Sequence, residues 1–388
     1  MIANIQIPPI LRIGGGAVTD LPAVLDELGV RRPLLVTDPV MVELGHAARA
    51  LDVLAAANVA CGVFSDTEPE PSETSIMRGV QAFEAEDYDG LIALGGGSAI
   101  DSAKAIGVLA RFGGRIREHA VPVEVDGDAW PLVAIPTTAG TGSECTRFTV
   151  ITDTERDEKL LCRGRAFLPR AALVDHEFTH TAPARLSADT GIDALTHALE
   201  AYVSRRASPM TDDLALAAMG RLAPNLERVC AEPGDVDARA EMMLGATLAG
   251  MAFSNASVAL VHGMSRPVGA FFHVPHGLSN AMLLPTITRF SIPGAPARYA
   301  RAARAMGFGQ EGASDEANCA ALVEGLAAVN SRLTVPSPAA FGIERDAWFA
   351  RMELMAEQAE ASGSPANNPR VPSRAEMVTL YTELWGNA

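Results

Sequence analysis

The apolar positions of this chain change rhythm near its middle. Up to about residue 180, short apolar runs alternate with stretches of helical spacing. Residues 32–38, 90–94 and 130–136 read as buried strands, and 148–152 and 170–174 add two more; 21–28, 73–86 and 100–112 predict helices. Strand–helix alternation favours a parallel sheet with helices on its faces. Beyond Pro183 the β-branched runs fade. Alanine- and leucine-rich segments of helical period follow at 188–204, 210–226, 238–251, 295–306, 315–333, 346–362 and 373–384. The reading is an α/β N-terminal nucleotide-binding domain, residues 1–182, followed by an all-α C-terminal domain, residues 183–388. No repeat of 20 to 50 residues interrupts this order.

Composition narrows the function. The formal net charge is −16, from 47 acids against 31 bases. That excludes nucleic acid as a partner, since its backbone demands a basic footprint. No apolar run approaches the roughly 18 residues of a membrane span, and the start of the chain lacks a basic, cleavable leader. The five cysteines are odd in number and show no CxxC pairing, which fits free thiols in a reducing, cytoplasmic compartment.

Two loops carry the chemistry of the first half. Gly95, Gly96 and Gly97 follow a strand and open a helix, with Ser98 and Asp101 in the spacing of a capping box. Glycines let backbone approach a diphosphate, and the helix N-terminus supplies free N–H groups and a favourable dipole. The alternative is a plain strand-to-helix turn. The spacing is neither G-x-G-x-x-G, because Ile100 stands in the third place, nor a Walker A loop. Thr137, Thr138 and Thr141 lie in a second glycine- and hydroxyl-rich loop after another strand. Parallel topology gathers both loops at the carboxyl ends of the strands. Asp38 ends the first predicted strand, where a carboxylate accepts from both ribose hydroxyls of NAD and repels the 2′-phosphate of NADP; it also suits the N-cap of the next helix.

The second half concentrates histidines. Asp193 and His197 sit at i and i+4 of a predicted helix and share a face. His262, His273 and His276 fall in one short apolar stretch, where imidazoles are costly unless something satisfies their nitrogens. Taken alone, Asp193 and His197 fit a structural hydrogen-bonded pair as well as a metal pair. With the second stretch added, a carboxylate and several imidazoles suit iron(II) or zinc. His46, His119, His176 and His180 have no such company and read as ordinary.

At these residues the chain resembles the iron-containing (group III) alcohol dehydrogenases. The motifs are GGGSAID, PTTAGTGSE, GIDALTHALEAYVS, AFSNASVALVHGM, VPHGLSNAMLLP and the late Asn367, Asn368, Pro369 and Arg370. They span essentially the whole chain. The resemblance implies the dehydroquinate synthase-like fold of that family, Fe2+ (or Zn2+) as catalytic metal, NAD in preference to NADP, and a homodimer or larger homo-oligomer. Carried over by motif, the ligands are Asp193, His197, His262 and His276. The cofactor contacts are Asp38, Gly95, Gly96, Gly97, Ser98, Thr137, Thr138, Thr141 and Lys159, and Phe253 lines the substrate pocket. The chain departs from members such as lactaldehyde reductase in three places. Arg266 replaces a histidine proposed there to relay protons, leaving His273 as the candidate; Glu70 replaces an asparagine of an N-P-T loop; and Phe148 replaces another asparagine.

The expected function is metal-assisted interconversion of a small primary alcohol, or a hydroxy acid, with its aldehyde or ketone. Competing readings are a metal-independent maleylacetate-type reductase, a cyclase resembling dehydroquinate synthase, and a non-catalytic nucleotide-binding protein.

Overall fold

The apolar runs of the first half become a sheet of parallel strands. They are β1 (Ile10–Ile13), β2 (Pro33–Val36), β3 (Gly62–Phe64), β4 (Gly90–Gly95), β5 (Leu132–Pro136) and, after a separate hairpin, β8 (Ala171–Val174). Their order is β1-β8-β5-β4-β2-β3, parallel throughout. The pleat sorts side chains to two faces. Leu34, Val36, Leu91, Ala93, Leu132 and Ala134 enter one core, and Leu35, Ile92, Leu94, Val133 and Ile135 enter the other. Helices α4 (Glu73–Glu84) and α5 (Gly97–Phe112) cover the first face; α1 (Leu21–Glu27) and α3 (His46–Ala56) cover the second. The short α2 (Pro39–Glu43) lies between α1 and α3 in the chain. This computed structural model describes residues 2–156 and 158–386.

The predicted strand at 148–152 forms, as β6 (Phe148–Asp153), but pairs with β7 (Glu158–Arg163) in an antiparallel hairpin outside the main sheet. Its pattern explains why. Burial alternates along β6, whereas β2, β4 and β5 are buried throughout. Strands β1, β3 and β7 were not expected from the sequence; the first two are short.

The strand order creates a switch point. The chain leaves β2 for β3 at one edge, then returns to β4 on the other side of β2. Ligands of open α/β sheets bind outside the carboxyl ends of the strands at such a reversal. Thr37 Oγ1 donates to Leu94 O at 2.8 Å and ties those ends together.

Beneath the two loops lies a buried lysine. Lys104 Nζ donates to Ser143 Oγ (2.9 Å), Thr146 Oγ1 (3.0 Å) and Phe148 O (2.8 Å). Asp101 accepts from Ser143 Oγ (2.6 Å) and Val150 N (2.9 Å). The capping box expected of Ser98 and Asp101 is therefore not formed. The helix begins two residues earlier, with Gly96 as its cap, and Asp101 is turned into this network. Burial pushes Lys104 down to about 8, against the opposing pull of Asp101 and Glu144.

The chain divides into two units, Ile5–Thr181 and the segment from Ala182 onward. The second unit is helical: α6 (Ala184–Val203), α7 (Pro209–Ala231), α8 (Val236–Ala256), α9 (Leu260–Phe272), α10 (His276–Ser291), α11 (Pro296–Ala305), α12 (Asp315–Arg332), α13 (Pro338–Phe341), α14 (Arg345–Ala361) and α15 (Arg374–Gly386). From Gly191 to Val203 every residue of α6 is buried, so this helix is the core around which α7, α8 and α10 pack. Among the described residues no single helix is long and apolar enough to cross a membrane.

Lys104→Met leaves two hydroxyls and Phe148 O without their buried donor and Asp101 without its counter-charge. We expect a loss of roughly 3 kcal/mol of stability, read by urea denaturation; Thr146→Val, which removes one acceptor, should lose about 1 kcal/mol.

Candidate metal centre and cofactor loops

The two histidine stretches meet because α6, α9 and α10 pack together. Asp193 and His197 lie one turn apart on α6. His262 is in the first turn of α9, and His276 opens α10. Between α9 and α10 the backbone turns sharply: His273 adopts φ +54 as the C-cap of α9, and Pro275 precedes α10. Gly277 sets the approach of α10 to α6. A Cβ there would lie 2.3 Å from Asp189 O, so only glycine allows this contact.

Ligand atoms of Asp193, His262 and His276 all lie within 4.8 Å of one another. Asp193 Oδ1 is 3.5 Å from His262 Nε2 and 3.8 Å from His276 Nε2. His197 stands alongside. Its Nδ1 is 3.9 Å from Asp193 Oδ2, and its ring stacks between His262 (centroids 4.5 Å apart) and Phe253 (4.1 Å). Among the described residues His197 Nδ1 is buried without a hydrogen-bond partner. The structure thus brings three of the four expected ligands into one donor group and sets the fourth against it. His273 is not brought in; it is exposed at the end of α9.

Electrostatics at the group follow from burial and neighbours. Burial alone would raise Asp193, but His197, His276 and His262 outweigh it and hold the carboxyl well below the usual carboxylate range. Burial drives His197 down to about 3, so it is a neutral lone-pair donor. For His262, burial opposes protonation, and the carboxylates of Asp193 and Glu200 override it and raise the pKa.

Two residues of this centre escaped the sequence reading. Glu200 accepts from His262 Nδ1 at 2.6 Å and from the backbone amides of Ala259 (3.0 Å), Val261 (2.5 Å) and His262 (3.4 Å). It caps α9 and fixes the imidazole with Nε2 turned to Asp193. Its signal was the spacing: positions 193, 197 and 200 form one polar face in an otherwise apolar helix. Asn280, at i+4 from His276, sends Nδ2 to Asp193 Oδ1 (2.7 Å), His262 Nε2 (3.1 Å) and His276 Nε2 (3.3 Å). Three lone-pair atoms converge on one donor, and Asn280 Oδ1 is buried without a partner among the described residues. A position that accepts only an electropositive group, lined by a carboxylate and imidazoles, fits a borderline divalent cation. His276 is 45% exposed, which leaves one side open to a substrate.

In the first unit, Asp38 Oδ1 accepts from Met41 N at 3.0 Å and caps α2, while Oδ2 lies beside the glycine turn at 3.3 Å from where a Gly95 Cβ would be. Gly95 has φ +150, and a side chain there would strike Ala99. A Cβ on Gly97 would meet Thr141 Cγ2 at 2.8 Å, and one on Gly96 would meet Thr138 at 3.6 Å, so the two loops touch. Thr137 N donates to Gly95 O at 3.0 Å. Ser98 Oγ accepts from Glu70 N at 3.4 Å, and Lys159 Nζ pairs with Glu70 Oε1 at 2.7 Å. Asp38, the glycines, Ser98, the threonines and Lys159 are linked through these contacts at the switch point.

Glycine- and hydroxyl-rich loops at the switch point of an α/β unit, and a donor group suited to a divalent cation in a helical unit, are features of metal-dependent, nucleotide-linked enzymes. The comparisons narrow that class. Residues 8–176 match the family model for iron-containing alcohol dehydrogenase, and residues 187–385 match that for the Fe-containing alcohol dehydrogenase family, C-terminal. The chain is 37% identical to lactaldehyde reductase of Escherichia coli K12 over 96% of this chain and 97% of that one. It is 35% identical to NAD-dependent methanol dehydrogenase of Bacillus methanolicus over 98% and 99%. A crystal structure of 1,3-propanediol oxidoreductase superposes with a TM-score of 0.95 at 32% identity, covering 99% of this chain and 100% of that chain. This chain belongs to the iron-containing alcohol dehydrogenase family and is an oxidoreductase that interconverts alcohols and carbonyl compounds.

Asn280→Ala should destabilise the metal-free protein by about 2 kcal/mol, because two buried acceptors, Asp193 and His262, lose their donor. The metal-loaded protein should lose less, so the melting temperatures with chelator and with iron(II) should move apart.

Proposed function

We propose that the chain is an NAD(H)-dependent dehydrogenase of small alcohols and aldehydes, with iron(II), or zinc, held by Asp193, His197, His262 and His276. The observation that carries this reading is the convergence of donor atoms from α6, α9 and α10 on one position. NAD is favoured over NADP by the free oxygen of Asp38 at the switch point, where a carboxylate repels a 2′-phosphate. The dependence on NAD in the name of the methanol dehydrogenase relative agrees with this. A cytoplasmic, homo-oligomeric protein without nucleic-acid or membrane partners completes the proposal; the free thiols of all five cysteines support its compartment.

When bound, the cation supplies Lewis acidity, which polarises a carbonyl or acidifies an alcohol. The chain's own residues do the rest. Asp193 contributes the negative charge of the donor group, and Glu200 keeps the Nδ1 proton of His262 engaged so that Nε2 stays a lone pair. Gly95, Gly96 and Gly97 let the start of α5 approach a diphosphate, with Thr137, Thr138 and Thr141 as neighbouring hydroxyls. Asp38 accepts from the adenine-side ribose. Lys159, steadied by Glu70, stands near the nicotinamide side. Phe253, stacked on His197, gives the substrate an apolar wall.

His262→Ala, or exhaustive chelation, should lower turnover by more than about 100-fold while NADH binding, followed by its fluorescence, persists. Chelation-resistant activity would instead favour the metal-independent reductase reading. Asp38→Asn preserves the helix cap and removes the charge. The NAD-to-NADP ratio of kcat/KM should then fall about tenfold or more; an unchanged ratio would place selectivity elsewhere.

A further inference from the structure

Arg266 stands one turn beyond His262 on α9, at i+4, so the two side chains share a face. Its Nη1 donates to Ser364 Oγ at 3.0 Å, a neutral acceptor. The loop bearing Ser364 is pressed against the same helix, where a Cβ on Gly263 would meet Pro365 at 2.8 Å. Among the described residues no carboxylate lies within the 4.0 Å of an ion pair with Arg266. The acid whose field reaches it is Glu200, and that carboxylate is already engaged by His262 and backbone amides. Burial lowers the guanidinium pKa, and its charge is felt at His197 within the donor group.

Three other arginines of the helical unit have acids: Arg298 pairs with Asp212, Arg185 with Asp189, and Arg370 with Glu376. Arg239 lacks one, but it is met by Pro233 O and Ser187 Oγ in the first turn of α8, roughly 20 Å along that helix from Phe253. Arg266 combines a missing counter-charge with a place beside the donor group. A guanidinium in that state offers a planar fork suited to an oxyanion. The net charge of −16 gives the molecule no general attraction for anions, so binding one on the substrate calls for a local cation.

We propose that Arg266 binds an oxyanion on the substrate, so that the aldehyde reduced is a short chain with a carboxylate or sulfonate at its far end and the alcohol is the matching hydroxy acid. This rests on the dehydrogenase reading above. The redox balance is that of the family: hydride from NADH and one proton convert the aldehyde to the alcohol, and the oxyanion is unchanged.

The test compares 4-oxobutanoate, 3-oxopropane-1-sulfonate and butanal as substrates of the iron-loaded protein, in the parent, Arg266→Lys and Arg266→Met. One or both oxyanions should exceed butanal in kcat/KM by about 30-fold or more, and which of them leads identifies the headgroup. Arg266→Met should bring the ratio near unity, mainly through KM, and Arg266→Lys should retain part of it. Independently of turnover, saturation-transfer NMR should show glutarate binding to the metal-free protein and its loss in Arg266→Met, with circular dichroism confirming that the variant folds. Butanal used as well as the oxyanions, or a ratio unmoved by Arg266→Met, overturns this inference and leaves the dehydrogenase reading standing. If no aldehyde is reduced, that reading fails, and the glutarate experiment alone decides whether Arg266 is an oxyanion site.

Discussion

The helical unit depends on one buried carboxylate shared between two helices. Glu200 belongs to α6, yet its oxygens are spent on the N-terminus of α9 and on the imidazole of His262. The first amides of a helix have no partners within it, and a charge placed there is stabilised by the dipole as well as by hydrogen bonds. One group therefore anchors α9, compensates its own burial and selects the tautomer of His262. Asp193 and His197 are carried by the same α6 face, so the donor group inherits its geometry from a rigid core helix rather than from loops.

The nucleotide unit solves the matching problem with a cation. Two loops rich in glycine and hydroxyls offer little apolar surface by which their tips could be held. Lys104 holds them from below, through Ser143, Thr146 and the start of β6, while Asp101 balances its charge. Buried ionic groups of this kind add little net stability over apolar packing but fix one arrangement of the chain.

Much of this was legible in the sequence because apolar rhythm and element type are tightly coupled. The runs at 90–94 and 130–136 became β4 and β5 because they are buried on both faces, and the seven helical segments beyond Pro183 all formed with ends shifted by a few residues. The stretch from 261 to 277 was harder. Its histidines drew attention, but two helices broken at His273 were hidden, because Pro267 and Pro285 sit inside α9 and α10 and blur any periodicity. The capping-box reading of Ser98 and Asp101 failed because a local motif cannot reveal that Ser143 and Val150, far along the chain, claim the carboxylate. Asn367 and Asn368 were recognised only as a motif. Their amides bond Ser257, Val258, Ser291 and Arg370, clasping the turns at the ends of α8 and α10. Glu200 and Asn280 were missed since neither residue type signals a centre without its three-dimensional company.

Asn280 has a consequence for the metal-free protein. Many small metal sites are unfolded until their ion arrives, because convergent lone pairs repel one another. Here an amide already answers those lone pairs. The donor group is thereby held together by the chain's own amide, so the packing of α6 against α10 does not require a cation to bridge it.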